Sequence, residues 1–247
     1  VTINYVDLGG KDDECIVLLS GLGASVDLWQ GQFELVEHDY RLIVVDFLRD
    51  VDIGNITIEY MATCVIHLLE DLKIDSAHIC GISLGGCVAQ EIYNQKSSLI
   101  KTLILSNSVT LILDDLLKMS VNERKKKLDS MTNDEYIEDL VNNCIVFKTK
   151  NIVDTARNAF TINRKTYVQT ASVLLGKDYS DVLRSVKVPV LICVGIWDAT
   201  TPMPNQLYQY WLTPRARIRF YCSGHLSCIE EGDRFNRDVL EFLKGVK

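Results

Sequence analysis

The stretch Ala77-His78-Ile79-Cys80-Gly81-Ile82-Ser83-Leu84-Gly85-Gly86 decides the fold. Ala77–Cys80 reads as a short buried strand, and the residues from about Gly85 to Gln95 read as a helix. Only a few residues separate the two, so the chain must turn sharply at Ser83. Small residues alone fit on either side of so tight a turn, and Gly81, Gly85 and Gly86 meet that need. The turn lifts the Ser83 hydroxyl above the strand end and aims a helix N-terminus at any negative charge forming beside it.

Strand and helix signals repeat on both sides of this unit. Ile16–Leu19, Leu42–Val45, Leu103–Leu105, Val188–Val194 and Ala216–Tyr221 read as strands. From Thr57 to about Lys73 the apolar residues Ile58, Met61, Ala62, Val65, Ile66, Leu69 and Leu72 recur at helical spacing, with Thr57 as N-cap. A last amphipathic helix covers about Asp233–Leu243. Apolar runs separated by helices imply an α/β fold, a mainly parallel sheet with helices on both sides. Thr2–Val6 alternates and is expected to form an antiparallel edge hairpin with the chain from Cys15 onward. Between about 109 and 186 strand signals nearly vanish. Helical stretches replace them at Asp114–Met119, Asn133–Cys144, Val153–Phe160 and Lys165–Leu175. This region reads as a helical lid on one domain spanning 1–247.

Composition narrows the functional classes. The 247 residues are 47% hydrophobic, which suits one domain with a sizeable core. A formal charge of -7 argues against nucleic acid and anionic membranes as partners. The one basic cluster, Arg124-Lys125-Lys126-Lys127, lies between Asn122-Glu123 and Leu128-Asp129 and reads as a solvated helix face rather than a binding patch. No run approaches the ~20 apolar residues of a membrane span, and Val1–Tyr5 has neither a basic nor an apolar leader region. The eight cysteines are scattered through apolar runs and match no zinc or CxxC spacing. A reduced, cytoplasmic compartment is expected.

A serine hydroxyl needs a base within hydrogen-bond reach to act as a nucleophile. Of the four histidines, His38, His67 and His78 lie in a polar segment, a helix and a strand. His225 follows a strand in Tyr221-Cys222-Ser223-Gly224-His225, in the kind of loop where such sheets hold their ligands. Asp198, in Gly195-Ile196-Trp197-Asp198, follows another strand, where a carboxylate can accept the second imidazole N–H. Leu84 and Leu22, the latter in Ser20-Gly21-Leu22-Gly23, are candidates to point backbone N–H groups at an oxyanion. Trp29, Tyr167 and Trp197 are candidate pocket walls. No metal and no organic cofactor is called for.

With these segments in hand, the chain resembles the α/β-hydrolase superfamily, and within it the branch of 3-oxoadipate enol-lactonases. The resemblance rests on Leu19–Gly23 with Trp29 downstream, on Cys80–Gly86, on Gly195–Pro202, and above all on His225-Leu226-Ser227-Cys228-Ile229-Glu230, similar to an HxSxIE stretch of those lactonases. It covers the sheet region and fades across the lid. The order Ser83, Asp198, His225 is that of the superfamily. Two departures stand out: Asp46–Gly54 is short and lacks a Gly-His-Gly motif, and Ser20 stands where many members have histidine. The resemblance implies a serine hydrolase of a small ester or lactone. A monomer or homodimer is expected. Carbon–carbon bond hydrolysis, thioester cleavage, a biosynthetic acyl transfer or cyclisation, and a small-molecule receptor with a retained triad stay open.

Overall fold

The apolar runs pair into one seven-stranded sheet in the order β1-β3-β2-β4-β5-β6-β7 in a computed structural model that describes residues 3–10, 14–47 and 56–246. The strands are β1 (Asn4–Leu8), β2 (Glu14–Leu19), β3 (Tyr40–Asp46), β4 (Ala77–Ile82), β5 (Ile100–Ser106), β6 (Val190–Gly195) and β7 (Ala216–Tyr221). All pairings from β2 to β7 are parallel; β1 alone runs antiparallel.

The expected hairpin between the N-terminal segment and the chain from Cys15 is not formed. β1 pairs instead with β3, Asn4 opposite Asp46 and Leu8 opposite Leu42. β2 is apolar on both faces and has β3 on one side and β4 on the other, so it has no edge to offer. The half-exposed β1 therefore covers the outer edge of β3, where Arg41 donates to both Asp7 carboxylate oxygens at 2.9 and 2.8 Å. Thr2 lies outside the described residues.

Alternation along β2 divides two hydrophobic cores. Val17 and Leu19 face a core built with α1 (Ile58–Asp71) and α2 (Leu84–Lys96), through Met61, Val65, Val88 and Ile92. The Thr57 hydroxyl caps α1 by accepting from the Tyr60 N–H at 3.1 Å. Ile16 and Leu18 face the opposite core. Trp29, in a 3-10 segment Val26–His38, lies there with residues of a helical insertion between β5 and β6. That insertion comprises α3 (Asp114–Ser130), α4 (Asn133–Cys144), α5 (Lys150–Ala159), α6 (Arg164–Ala171) and α7 (Ser180–Ser185). After β6 come α8 (Pro204–Leu212), α9 (Ser227–Glu230) and α10 (Gly232–Lys244), the last closing the second core with Phe235 and Val239. Among the described residues no helix is long and apolar enough to cross a membrane. All eight cysteines are free thiols, and only Cys222 is exposed.

The turn between β4 and α2 is as tight as its glycines require. Ser83 has φ 55° and ψ -120°, a left-handed conformation costly for a residue with a side chain. A Cβ on Gly81 would lie 2.3 Å from the Gly85 carbonyl oxygen, and one on Gly85 would lie 2.2 Å from that of Leu19. Backbone on both sides cannot yield as a flexible side chain would. Gly85→Ala should therefore destabilise the fold by about 2–4 kcal/mol. Gly232→Ala, with nothing within 4 Å of the new methyl, should change stability by less than about 1 kcal/mol; urea unfolding of the two variants checks the contrast.

Candidate active site

The carboxyl ends of β4, β5, β6 and β7 converge on one group of side chains. Ser83 leaves the end of β4 on the strained turn. Its backbone N–H donates to the Ser106 carbonyl at 3.0 Å and its carbonyl accepts from the Ser108 hydroxyl at 3.1 Å, which ties the turn to the end of β5. Leu84 opens α2, so its amide is among the first-turn N–H groups that have no acceptor within the helix. The loop carrying Leu22 packs against the turn: a Cβ on Gly21 would sit 3.3 Å from that of Ser83. An Ala24 N–H to Gly21 carbonyl bond of 3.2 Å holds the loop closed. Ser20, buried, spends its hydroxyl on the Ser25 carbonyl at 3.1 Å.

His225 and Asp198 form a buried pair, with Nδ1 2.8 Å from Asp198 Oδ2. Asp198 is held from all sides. Its Oδ1 accepts from the Thr200 and Thr201 amides at 2.8 and 2.9 Å. Its Oδ2 also accepts from Asn107 Nδ2 at 2.9 Å, and the Thr201 hydroxyl lies 2.7 Å away. Burial by itself would raise the pKa of this carboxyl. The His225 charge, with the bonds from His225 and Thr201, outweighs burial and holds it below the usual carboxylate range. The backbone of His225 is fixed as well, its N–H donating to the Cys144 carbonyl at 2.7 Å. Ser83, Leu22, His225 and Tyr167 line one cavity of about 280 Å³.

Three further residues complete the site: Ser227 and Glu230, which the sequence offered only as part of the stretch resembling HxSxIE, and Asn107, which carries no sequence signal of its own. Asn107, fully buried with φ 43°, follows β5. Its carbonyl oxygen Oδ1 accepts from Ser227 at 2.8 Å while its amide nitrogen holds Asp198. Ser227 in turn lies 2.8 Å from Ser223. Glu230 receives the Gly224 N–H at 2.6 Å on one oxygen and the Val146 and Phe147 N–H groups at 2.8 Å each on the other. The pattern His225-x-Ser227-x-x-Glu230 is thus one device: it carries the imidazole, anchors Asn107 and fastens the His225 loop to the insertion. Among the described residues no group of three or more His, Cys, Asp or Glu could hold a metal ion.

Two expected pocket walls lie elsewhere. Trp29 is wholly buried and packs on Phe235, ring centroids 6.3 Å apart, as part of the core beneath α10. Trp197 is 60% exposed, and its backbone N–H donates to the Ser223 carbonyl at 3.0 Å. The basic cluster also differs from the solvated face expected of it. Lys125 and Lys126 are exposed, whereas Arg124 and Lys127, on the inner side of α3, border the cavity. His38 and His67 are exposed; His78 is buried, 2.9 Å from the Thr102 hydroxyl. Residues 48–54 of the atypical loop after β3 lie outside the described residues.

The chain matches the α/β hydrolase fold family over residues 14–161, more than half its length, and belongs to that family. It is 23% identical to 3-oxoadipate enol-lactonase 1 of Acinetobacter baylyi, over 97% of this chain and 92% of that protein. It is 28% identical to a 2-hydroxy-6-oxononadienedioate/2-hydroxy-6-oxononatrienedioate hydrolase of Burkholderia vietnamiensis, over 98% and 91%. Among solved structures it is similar to the enol-lactonase from Burkholderia xenovorans LB400, with TM-score 0.88, 21% identity and coverage of 98% and 96%. A thermophilic esterase from Thermogutta terrifontis matches with TM-score 0.88 and 21% identity over 99% and 93%.

The lowered pKa of Asp198 has a consequence for stability. A carboxylate depressed in the folded state stabilises it fully above the unfolded value of about 3.9 and ceases to do so as pH falls through the folded value. Urea unfolding of the wild type should therefore show stability falling below about pH 4. Asp198→Asn, which carries no proton-linked charge there, should show a shallower fall over the same range; equal slopes would exclude this contribution.

Proposed function

We propose that this protein hydrolyses a small ester or lactone through an acyl-enzyme on Ser83. The observation that carries the proposal is the buried His225–Asp198 pair opening into the same cavity as a serine held on a strained turn. Nδ1–H donates to Asp198, which leaves Nε2 as the acceptor that takes the Ser83 proton when Oγ attacks the carbonyl. The Leu22 and Leu84 amides hold the resulting oxyanion, each contributing roughly 3 kcal/mol to lowering the barrier. Collapse expels the alcohol or enol oxygen, which takes its proton from His225. Water then loses a proton to His225, attacks the acyl group and frees Ser83 with the acid.

Asp198 keeps the imidazole in one tautomer and stabilises the imidazolium of both steps. The insertion α3–α7 serves as the lid over the cavity, excluding bulk water and shaping the substrate space. The named activities of the relatives, lactone hydrolysis among them, are in keeping with this chemistry.

A short-chain p-nitrophenyl ester tests the mechanism. Ser83→Ala should lower kcat by at least about a thousandfold and abolish labelling by a fluorophosphonate probe. A Ser83→Ala variant as active as wild type would exclude the acyl-enzyme.

A further inference from the structure

Asp198 faces more hydrogen-bond donors than a carboxylate has places for. An ionised carboxylate offers about four lone-pair positions, two on each oxygen. Oδ1 takes the Thr200 and Thr201 amides, which fills it. Oδ2 meets three donors at once: Asn107 Nδ2 at 2.9 Å, His225 Nδ1 at 2.8 Å and the Thr201 hydroxyl at 2.7 Å. Asn107 is pinned from its other side by Ser227. The contest for the last position on Oδ2 therefore lies between Thr201 and His225.

Thr201 is placed for that contest. It is buried, with Oγ1 3.3 Å from His225 Nδ1 and 2.8 Å from the Asn107 carbonyl. Gln206 Nε2 holds the Thr201 carbonyl at 3.0 Å and the Ser108 carbonyl at 2.8 Å, which fixes the residue from the α8 side. A valine would keep the amide bond to Asp198 and nearly the same shape, so the hydroxyl adds something the turn itself does not require. What it adds is electrostatic. A buried carboxylate with few donors keeps its charge beside the imidazole and favours the protonated ring. A general base must be free of that proton at the working pH. Each further donor on Oδ2 takes up part of the charge and weakens the pull on Nδ1–H.

We propose that Thr201 is a positioning residue whose hydroxyl competes with His225 for Asp198 Oδ2 and so keeps the imidazole in its unprotonated, base form. The titratable and charged side chains packed around the pair are Cys144, Tyr136 and Asp139 on α4, Glu230 on α9, Tyr167 on α6, and Glu123, Arg124 and Lys127 on α3. Among the described residues none of these bonds to Asp198. Glu230 is committed to backbone N–H groups, burial pushes the Cys144 thiol up to about 12, and across the cavity two acids stand against two bases. The kinetic side of the proposal rests on the hydrolase reading of Ser83; the effect on the imidazole does not.

NMR titration of the histidine rings in Ser83→Ala tests that effect without turnover, the His225 signals being identified by their loss in His225→Gln. Thr201→Val should move the His225 midpoint to higher pH by about 0.5–1. Thr201→Ser, which keeps the hydroxyl, should leave it in place. In the otherwise wild-type enzyme the acid limb of kcat/KM for p-nitrophenyl butyrate should move the same way. Thr201→Val should then lose about three- to tenfold more activity below that limb than on the plateau above it, while a purely structural role would lower activity equally at every pH. Circular dichroism confirms folding. Thr201→Cys, whose thiol is a weak donor, should shift the midpoint in the same direction and decides the matter if Thr201→Val does not fold. An unmoved or lowered His225 midpoint overturns the proposal and leaves the hydrolase intact. A raised midpoint in an enzyme whose turnover does not depend on Ser83 upholds the role of Thr201 toward the imidazole and refutes the hydrolase reading.

Discussion

One carboxylate, Asp198, organises the carboxyl edge of the sheet. Removing a carboxylate from water costs several kcal/mol unless donors replace the lost hydration. Here the replacements come from separate parts of the chain: the Thr200 and Thr201 amides from its own turn, Asn107 from the end of β5 and His225 from beyond β7. Satisfying that single group therefore fixes three loops against one another. The cost is visible at Asn107, which holds a left-handed backbone so that its amide can face Asp198 while its carbonyl faces Ser227.

A second carboxylate extends the same logic to the insertion. Glu230 binds the backbone just before His225 with one oxygen and the Val146 and Phe147 amides with the other. The Cys144 carbonyl answers by accepting the His225 N–H. The position of the helices over the cavity and the position of the imidazole are thus set by shared bonds. A change that shifts the chain after α4 is transmitted to His225, which couples cavity shape to the position of the imidazole.

How much of this could be read from residues alone depended on range. The glycine-flanked Ser83 turn, the Thr57 cap and the bounds of α4 are local, and the sequence expressed each of them through neighbouring positions. Ser83, Asp198 and His225 were legible as candidates because each follows an apolar strand run. The partner of β1 was not legible: the alternation of Thr2–Val6 says that one face is covered but not which strand offers an edge. Trp29, Trp197 and Arg124 went astray for a related reason. An aromatic residue or a cation shows its chemistry in sequence, but the direction it faces is decided by elements packed against it from elsewhere, Phe235 for Trp29 and Tyr167 for Arg124. Ser227 and Glu230 showed in sequence as part of a stretch resembling HxSxIE, but not what they bond; Asn107 showed nothing, because it acts through hydrogen bonds that bridge distant segments and looks like any turn residue.

The central claim is that Ser83 carries the acyl group between two half-reactions. Rapid-quench mass spectrometry of the wild-type enzyme turning over p-nitrophenyl acetate, followed by proteolysis, tests it most directly. The account predicts a transient acetyl group on the peptide containing Ser83 that forms and decays at rates matching turnover. Turnover with the acetyl group on another residue, or with no acylated peptide at any time, would contradict it.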